Sequence, residues 1–495
     1  MQGSHIFIAW WIKIWRRYLR GSRNLQCLLL FFIGACFFAG FKAWNYHSSK
    51  VYNLHLSKIK KRLLYYCNPP GPPLGNEQNP PFEYGQFKLK QVHVIARHGD
   101  RSSVARKFAD LKQFNCNIKS PNVPHATKLK TLMEIVKYLK IVRIAQEKEK
   151  PENFYLSNRQ ICKPGQLTPL GYLQHIFLGE YMLTVYGRRL DLSIASVEED
   201  EILVYATPIS RTQQSAAGFL SGMFGQLLLK EIAGNNQAIV NDSVLLKVRV
   251  STDPLGYFRE EENGYISSCP VLKLILTKPK SSVTYKNFKP LFDKIAKIFD
   301  LSREMIPSVT HLFDTVATHF CHQHLMPCGP GGCMDDALIS DNLQALHWEL
   351  ADRFTPIAKV ASHPLLSKIT QSMLTCASGD CHVKFVLFVS HDTVVSPLLI
   401  DLGVLPNEWP AYAARIVFEL WEAGEMVSNN LSGEDALDKH FVRVLYNGHD
   451  YTSRITFCQK TLKFGKLCPL RALVQALTGT SDNMETEYRK LCGFT

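Results

Sequence analysis

The chain has 495 residues, 46% of them hydrophobic and 20% charged, a globular composition that excludes a disordered or collagenous protein. Its formal net charge of +14 is concentrated at one end: residues 1–66 hold 11 Lys/Arg and no Asp/Glu, leaving 46 basic against 43 acidic residues beyond. A near-neutral remainder argues against a nucleic-acid partner, and basic residues beside an apolar run point to membrane topology instead.

That run is LQCLLLFFIGACFFAGF, 17 uncharged residues at 25–41, near the short end of what spans a hydrocarbon core. Lys13, Arg16, Arg17, Arg20 and Arg23 precede it, and only Lys42 and Lys50 follow at comparable distance. The positive-inside rule then predicts an uncleaved signal anchor, with residues 1–24 as a cytoplasmic tail and the bulk of the chain in a lumen. Of the 14 cysteines, Cys27 and Cys36 lie in the run; the even dozen beyond it fits disulfides in an oxidising compartment. Cys328/Cys333, Cys376/Cys381 and Cys458/Cys468 are close enough in sequence to pair. Sequons at Asn241 and Asn430 predict N-glycosylation in the same compartment. Residues 42–85, basic and then rich in Pro and Gly (NPPGPPLGNEQNPP), read as a stem; Cys67 is placed to tie part of it down. The folded domain is expected over 86–495.

Val92–Ala96 (VHVIA) is short, apolar and β-branched, with a charged cluster after it, which predicts a buried strand ending in a polar loop. Residues 168–186 place Leu170, Leu173, Ile176, Phe177 and Tyr181 at helical spacing behind a Thr-Pro start. ILVYA at 202–206 is a second strand and 211–224 the helix after it; KFVLFVS at 384–390 is a third strand. RIVFELW at 415–421 and VRVLY at 442–446 complete the strand set. Recurring strand–loop–helix units predict an α/β sheet with helices on both faces. Strand signals are sparse over roughly 250–380, which predicts a mainly helical cap inserted into the core.

Three polar clusters fall at three strand ends, where open α/β sheets bind ligands. The first is Arg97-His98-Gly99-Asp100-Arg101. Guanidinium forks match phosphate oxygens in shape and charge, and a neutral imidazole between them can attack phosphorus. Gly99 permits close backbone approach to a ligand. The second cluster, Ala206 to Thr212, adds Arg211. The third is Ser390-His391-Asp392-Thr393, where a carboxyl beside a phosphate site can protonate a leaving oxygen. Asp392 also suits a helix N-cap, and the two roles can coexist. A loop rich in charge is often only a surface ion-pair cluster; three such loops at three strand ends are not what that reading predicts.

RHGDR after VHVIA, with SHDTVVSP, resembles the histidine acid phosphatases, a branch of the histidine phosphatase superfamily. QLTPLGYLQHIFLGEYM is similar to that family's helix after its LTxxG motif, and the likeness runs in motif order over roughly 88–460. The resemblance implies a covalent phosphohistidine on His98. It implies that Arg97, Arg101 and Arg211 hold the phosphoryl group, with His391 as a further contact, and that Asp392 protonates the leaving group. It implies no metal and no cofactor. One position departs: the family pattern RHGxRxP ends here in Ser103, which removes a loop-stiffening proline. The anchor, the stem, His319-Phe320-Cys321-His322 with Pro327-Cys328, residues 414–421 and residues 442–448 resemble more closely a Golgi branch of the family. That branch removes the 2-O-phosphate of xylose in the glycosaminoglycan–protein linkage region of proteoglycans. This implies a single-pass type II Golgi membrane protein with a lumenal catalytic domain, and glycosyltransferases of linkage-region synthesis as partners.

Three alternatives stand beside that reading. His319, Cys321, His322, His324, Cys328 and Cys333 suggest a metal site, but their spacing matches no standard zinc pattern and lumenal thiols tend to pair. Another phosphomonoesterase of the family would act on lysophosphatidic acid, inositol phosphates or general substrates; a polyphosphate needs more cations than the near-neutral remainder carries. A non-catalytic phosphosugar-binding protein is the third, and it would not need every chemical residue in place.

Overall fold

A computed structural model of the chain describes residues 58–494 except 81, 83–84, 106–110, 121–122, 145–151, 158, 235–245, 252–268, 273–285, 303–307, 405–407, 430–434 and 465. The apolar run at 25–41 and both sequons, Asn241 and Asn430, lie outside the described residues. Among the described residues no helix is long and apolar enough to cross a membrane. Residues 62–495 form one compact unit.

The organising element is a ten-stranded sheet. Its strands are β1 (Phe87–Arg97), β2 (Leu139–Arg143), β3 (Glu152–Asn153), β4 (Ile202–Ala206), β5 (Leu246–Val250), β6 (Phe385–Ser390), β7 (Arg415–Ala423), β8 (His440–Tyr446), β9 (His449–Asp450) and β10 (Cys468–Pro469). The spatial order is β9-β8-β7-β1-β6-β4-β5-β2-β3, with β10 also on β8. β1, β6, β4, β5 and β2 run parallel, while β7 joins β1 antiparallel and β8 joins β7 the same way. Every residue of β6 is buried, as a central parallel strand covered on both faces requires.

The main helices are α1 (Ala126–Ile135), α2 (Pro169–Leu190), α3 (Ser210–Ala233), α4 (Lys289–Phe299), α5 (Val309–Cys321), α6 (Asp336–Glu349), α7 (Ala358–Ala377), α8 (Asp392–Asp401), α9 (Leu470–Thr478) and α10 (Met484–Leu491). Side-chain alternation decides which pack where. Val92, Val94 and Ala96 of β1 and Phe385, Leu387 and Val389 of β6 share one core with α2 and α3. Gln91 faces the other way and donates to Ser372 of α7 at 2.9 Å. The sheet is therefore sandwiched between helices, the α/β arrangement that the strand–helix alternation predicts. α2 and α3 cross with backbones almost touching: a Cβ on Gly179 would lie 2.0 Å from the Phe219 carbonyl oxygen.

One expectation changes. Residues expected in a stem are built into the domain. Cys67 is bonded to Cys321 at the end of α5, and the fully buried Glu77 pairs with Arg415 at 2.7 Å. The reason is local: Tyr66, Cys67 and Glu77 are core-seeking or partner-seeking groups inside a Pro-rich stretch, and the composition of the stretch hides them. All twelve cysteines beyond the apolar run are paired: the three close pairs, and Cys67–Cys321, Cys116–Cys162 and Cys269–Cys492.

Candidate active site

β1, β4 and β6 are adjacent and parallel, so their carboxyl ends open on one edge of the sheet. Strand order reverses there, because β6 inserts between two strands that precede it in the chain, and a crevice results. Arg97 ends β1, Thr207 follows β4, and His391 and Asp392 follow β6. The three sequence clusters thus converge in space.

The loop after β1 is braced from two helices. Asp100 N–H donates to Gln174 of α2 at 2.6 Å, and Gly99 N–H donates to Ser215 of α3 at 3.0 Å. His175 of α2 donates its Nε2–H to the Arg97 carbonyl at 3.0 Å. Gly99 is required, though not for the expected reason. A Cβ there would sit 2.3 Å from the Gly171 carbonyl, so the close neighbour is the first turn of α2 rather than a ligand. Thr168 caps that turn through Gly171 N–H, with Pro169 at the first helical position.

His98 is 1% exposed. Its Nδ1 lies 2.8 Å from the Gly99 carbonyl oxygen, which can only accept, so Nδ1 carries the proton and Nε2 keeps the lone pair. Burial, then Arg211, Arg97 and Arg101, hold the ring far below the ordinary histidine range. It is a neutral imidazole at any physiological pH. The His391 ring lies edge-on at 5.5 Å. Its Nδ1 accepts from Arg211 Nη2 at 3.4 Å, and its Nε2–H donates to Thr207 Oγ1 at 3.1 Å. Burial and Arg211 keep it neutral too.

The three guanidiniums are held differently. Arg97, 0% exposed, donates to the Pro410 carbonyl at 2.6 Å and to the Tyr66 hydroxyl at 2.9 Å. It lies between the rings of Tyr66 and Tyr412, 4.9 and 4.5 Å from their centroids. Arg101 pairs with Asp314 of α5 at 2.7 Å. Burial with Arg101 beside it lowers Arg211 to about 10, which leaves it charged. Each of the three keeps a buried Nε–H with no protein acceptor. Buried donors of that kind are costly unless an anion satisfies them.

Asp392 is the first residue of α8; His391 occupies the N-cap position and makes no side-chain cap. The carboxylate is therefore free for chemistry rather than spent on capping. Arg97 Nη2 at 2.8 Å and the Trp409 indole N–H at 3.0 Å both donate to its Oδ2. Burial opposes its charge, but Arg97, the Trp409 bond, Arg101 and His391 hold it well below the usual carboxylate range. The helix N-terminus adds to that.

Asp100, between the two motif arginines, faces away from them. It accepts from Thr168 Oγ1 and from His322 Nε2, the latter at 2.7 Å. Burial works against a charged His322, yet Asp100 raises its pKa. Ser103, where the proline is expected, donates to Asp314 Oδ2 at 2.9 Å. Five of the six residues weighed as metal ligands have other work. Cys321, Cys328 and Cys333 are in disulfides, His322 is on Asp100, and His319 Nδ1 is on the Leu325 carbonyl.

A model of the histidine phosphatase superfamily (branch 2) matches residues 88–267 and 277–447. The chain belongs to that branch. Among its relatives is 2-phosphoxylose phosphatase 1 of Mus musculus, 28% identical over 451 residues and covering 85% of each chain. Counting factor 60 of Dictyostelium discoideum is 24% identical over 404 residues, 78% of this chain and 85% of that one. Lysophosphatidic acid phosphatase type 6 of Mus musculus is 22% identical over 426 residues, 84% and 90%. The chain is thus a hydrolase of histidine-phosphatase type. Tyr66, Asp314, Trp409 and Tyr412 complete the site, and no motif marks them; Tyr66 alone had a signal, its place beside a cysteine.

Proposed function

We propose that the chain is a phosphomonoesterase that transfers PO₃ from a sugar alcohol to His98 Nε2, and then to water. The observation that carries this is the tautomer. A proton fixed on Nδ1 by Gly99 leaves a lone pair on Nε2, beside three guanidiniums that each keep an unpartnered N–H. In the first step the P–N bond forms, the P–O bond breaks, and the leaving oxygen takes a proton from Asp392. In the second, water gives its proton to Asp392 and attacks phosphorus, the P–N bond breaks, and inorganic phosphate leaves. The guanidiniums stabilise charge on the equatorial oxygens throughout.

The depressed pKa of Asp392 changes where the acid's proton comes from. In the free site Asp392 is a carboxylate even at mildly acidic pH. A phosphate monoester has a second pKa of about 6. Its monoanion can deliver the proton to Asp392 as the dianion engages Arg97, so acid pH favours turnover through the substrate.

The substrate class follows from two lines of support. Three arginines, two of them already paired with Asp392 and Asp314, suit one phosphate rather than a polyphosphate. The relative named 2-phosphoxylose phosphatase 1 covers most of both chains. We take the substrate to be the 2-O-phosphate of xylose in a proteoglycan linkage oligosaccharide. The location is a Golgi membrane, with residues 25–41 as a type II anchor; twelve paired cysteines fit a lumenal domain. The test is to incubate the full chain with a phosphoxylose-bearing linkage oligosaccharide, glycerol 2-phosphate, a lysophosphatidic acid and an inositol phosphate. Selective release of phosphate from the first supports the reading, and preference for another assigns a different substrate to the same site.

A further inference from the structure

We propose that Trp409 is a positioning residue for the leaving-group acid: its indole N–H pins Asp392 Oδ2, so that Oδ1 is the oxygen that hands over the proton. This rests on the acid role given to Asp392 above.

The geometry separates the two carboxylate oxygens. Arg97 Nη2 and Trp409 Nε1 converge on Oδ2 at 2.8 and 3.0 Å. Two strong donors on one oxygen disfavour protonation there and leave Oδ1 as the basic site. The Asp392 side chain is 17% exposed, enough for a leaving group to reach it. A single hydrogen bond to a carboxylate would allow the plane of the carboxyl to rotate. Two from different directions, one on β1 and one on the loop before β7, fix it.

Trp409 is itself held. It is buried, and its ring packs against Phe354 at 5.9 Å. Phe354 closes a π-helical turn, Leu350–Phe354, a local irregularity that recurs at functional sites. The residues after Trp409 touch the rest of the machinery. The Pro410 carbonyl accepts from Arg97, Tyr412 covers the same guanidinium, and Ala413 donates its N–H to the His98 carbonyl at 3.1 Å. Ala413 does so at φ 53, a left-handed conformation that a non-glycine residue adopts at a cost. One five-residue turn thus contacts the acid, a phosphate-binding cation and the nucleophile. Phenylalanine at this position keeps an aromatic ring but loses the N–H together with the five-membered ring; lost packing alone would slow both kinds of substrate alike, whereas a lost acid-positioning bond slows the poor leaving group more.

The charged and titratable groups facing Asp392 are Arg97 from β1, Arg101 from the loop after it, Arg211 from α3, His391 beside it and Tyr66. Trp409 is the neutral donor in that ring. Its loss raises the carboxyl pKa and frees its rotation.

The experiment compares the full chain with Trp409→Phe and Asp392→Asn on glycerol 2-phosphate, a poor leaving group, and p-nitrophenyl phosphate, a good one. For Trp409→Phe we expect kcat on glycerol 2-phosphate to fall about tenfold and on p-nitrophenyl phosphate less than about threefold. The alkaline limb of kcat on glycerol 2-phosphate should move to higher pH, and inhibition by inorganic phosphate should stay the same. Equal losses on both substrates with an unmoved limb overturn the proposal. If Asp392→Asn itself loses both activities equally, the acid reading fails and this proposal with it. If Asp392→Asn shows the split and Trp409→Phe does not, only the role of Trp409 fails. Should Trp409→Phe not fold, Phe354→Leu carries the same comparison: unequal losses support the proposal and equal losses overturn it.

Discussion

Ser103→Ala tests how the departure from the family's proline is accommodated. Ser103 is 0% exposed and its Oγ is a hub: it donates to Asp314 Oδ2 at 2.9 Å and accepts from Ala105 N–H at 3.1 Å. Asp314 in turn pairs with Arg101 at 2.7 Å. A hydrogen bond to a charged acceptor is worth about 1.5–3 kcal/mol. Asp314 Oδ2 keeps a second donor, Val104 N–H at 2.8 Å, which places the loss near the lower end. We therefore expect Ser103→Ala to cost about 2 kcal/mol of stability. If half of that reaches the transition state through Arg101, kcat/KM falls about fivefold, since about 1.4 kcal/mol is tenfold. Denaturant titration and aryl phosphate turnover measure the two numbers. A double-mutant cycle with Asp314→Asn then isolates the path: in that background Ser103→Ala should cost little more in rate. A full-sized rate loss from Ser103→Ala in the Asp314→Asn background would refute the claim that Ser103 acts through Asp314.

Three further predictions concern pH and the disulfide. The alkaline limb of kcat/KM should follow the second pKa of the substrate; a series of esters that all share one limb would contradict proton delivery by the monoanion. Stability should fall as pH drops below about 6.5. Burial lowers the native pKa values of His93 and His391 to about 3 and of His175 to about 4, and that of His98 lies well down. Between those values and about 6.5 the unfolded chain binds protons that the native chain refuses. His322, whose pKa is raised, opposes this only in part. Denaturation midpoints that are flat from pH 7 to 4.5 would contradict the assignment of neutral rings. Cys67→Ser with Cys321→Ser should lower turnover, because the bond's sequence neighbours Tyr66 and His322 hold Arg97 and Asp100. Unchanged kcat/KM in that double variant would count against it.

Much of the architecture is legible in the sequence because burial writes itself as local pattern. ILVYA predicts β4 to the residue, and KFVLFVS and RIVFELW each mark a strand that the fold extends or trims at one end. The Thr-Pro start of α2 is a local capping signal and it holds. The motif residues are legible for the same reason: each sits at or a few residues beyond the end of a readable strand. What is hidden is everything brought in from a distance. Asp314 lies 213 positions from Arg101, and the Cys67–Cys321 bond closes a separation of 254. Neither has a periodicity to betray it. Trp409 and Tyr412 sit in a loop whose backbone is irregular, where apolar residues carry no face. The stem reading fails because composition averages over Tyr66 and Glu77, whose partners lie elsewhere in the chain.

The central claim is a bond from phosphorus to one nitrogen of one ring. Full-chain enzyme turning over an aryl phosphate should be quenched in alkali, digested, and its peptides analysed by mass spectrometry and ³¹P NMR. The account predicts label on the peptide that holds His98, attached at Nε2, and none in His98→Ala. Phosphate on Nδ1 of that ring, on His391, or on no residue at all would contradict it.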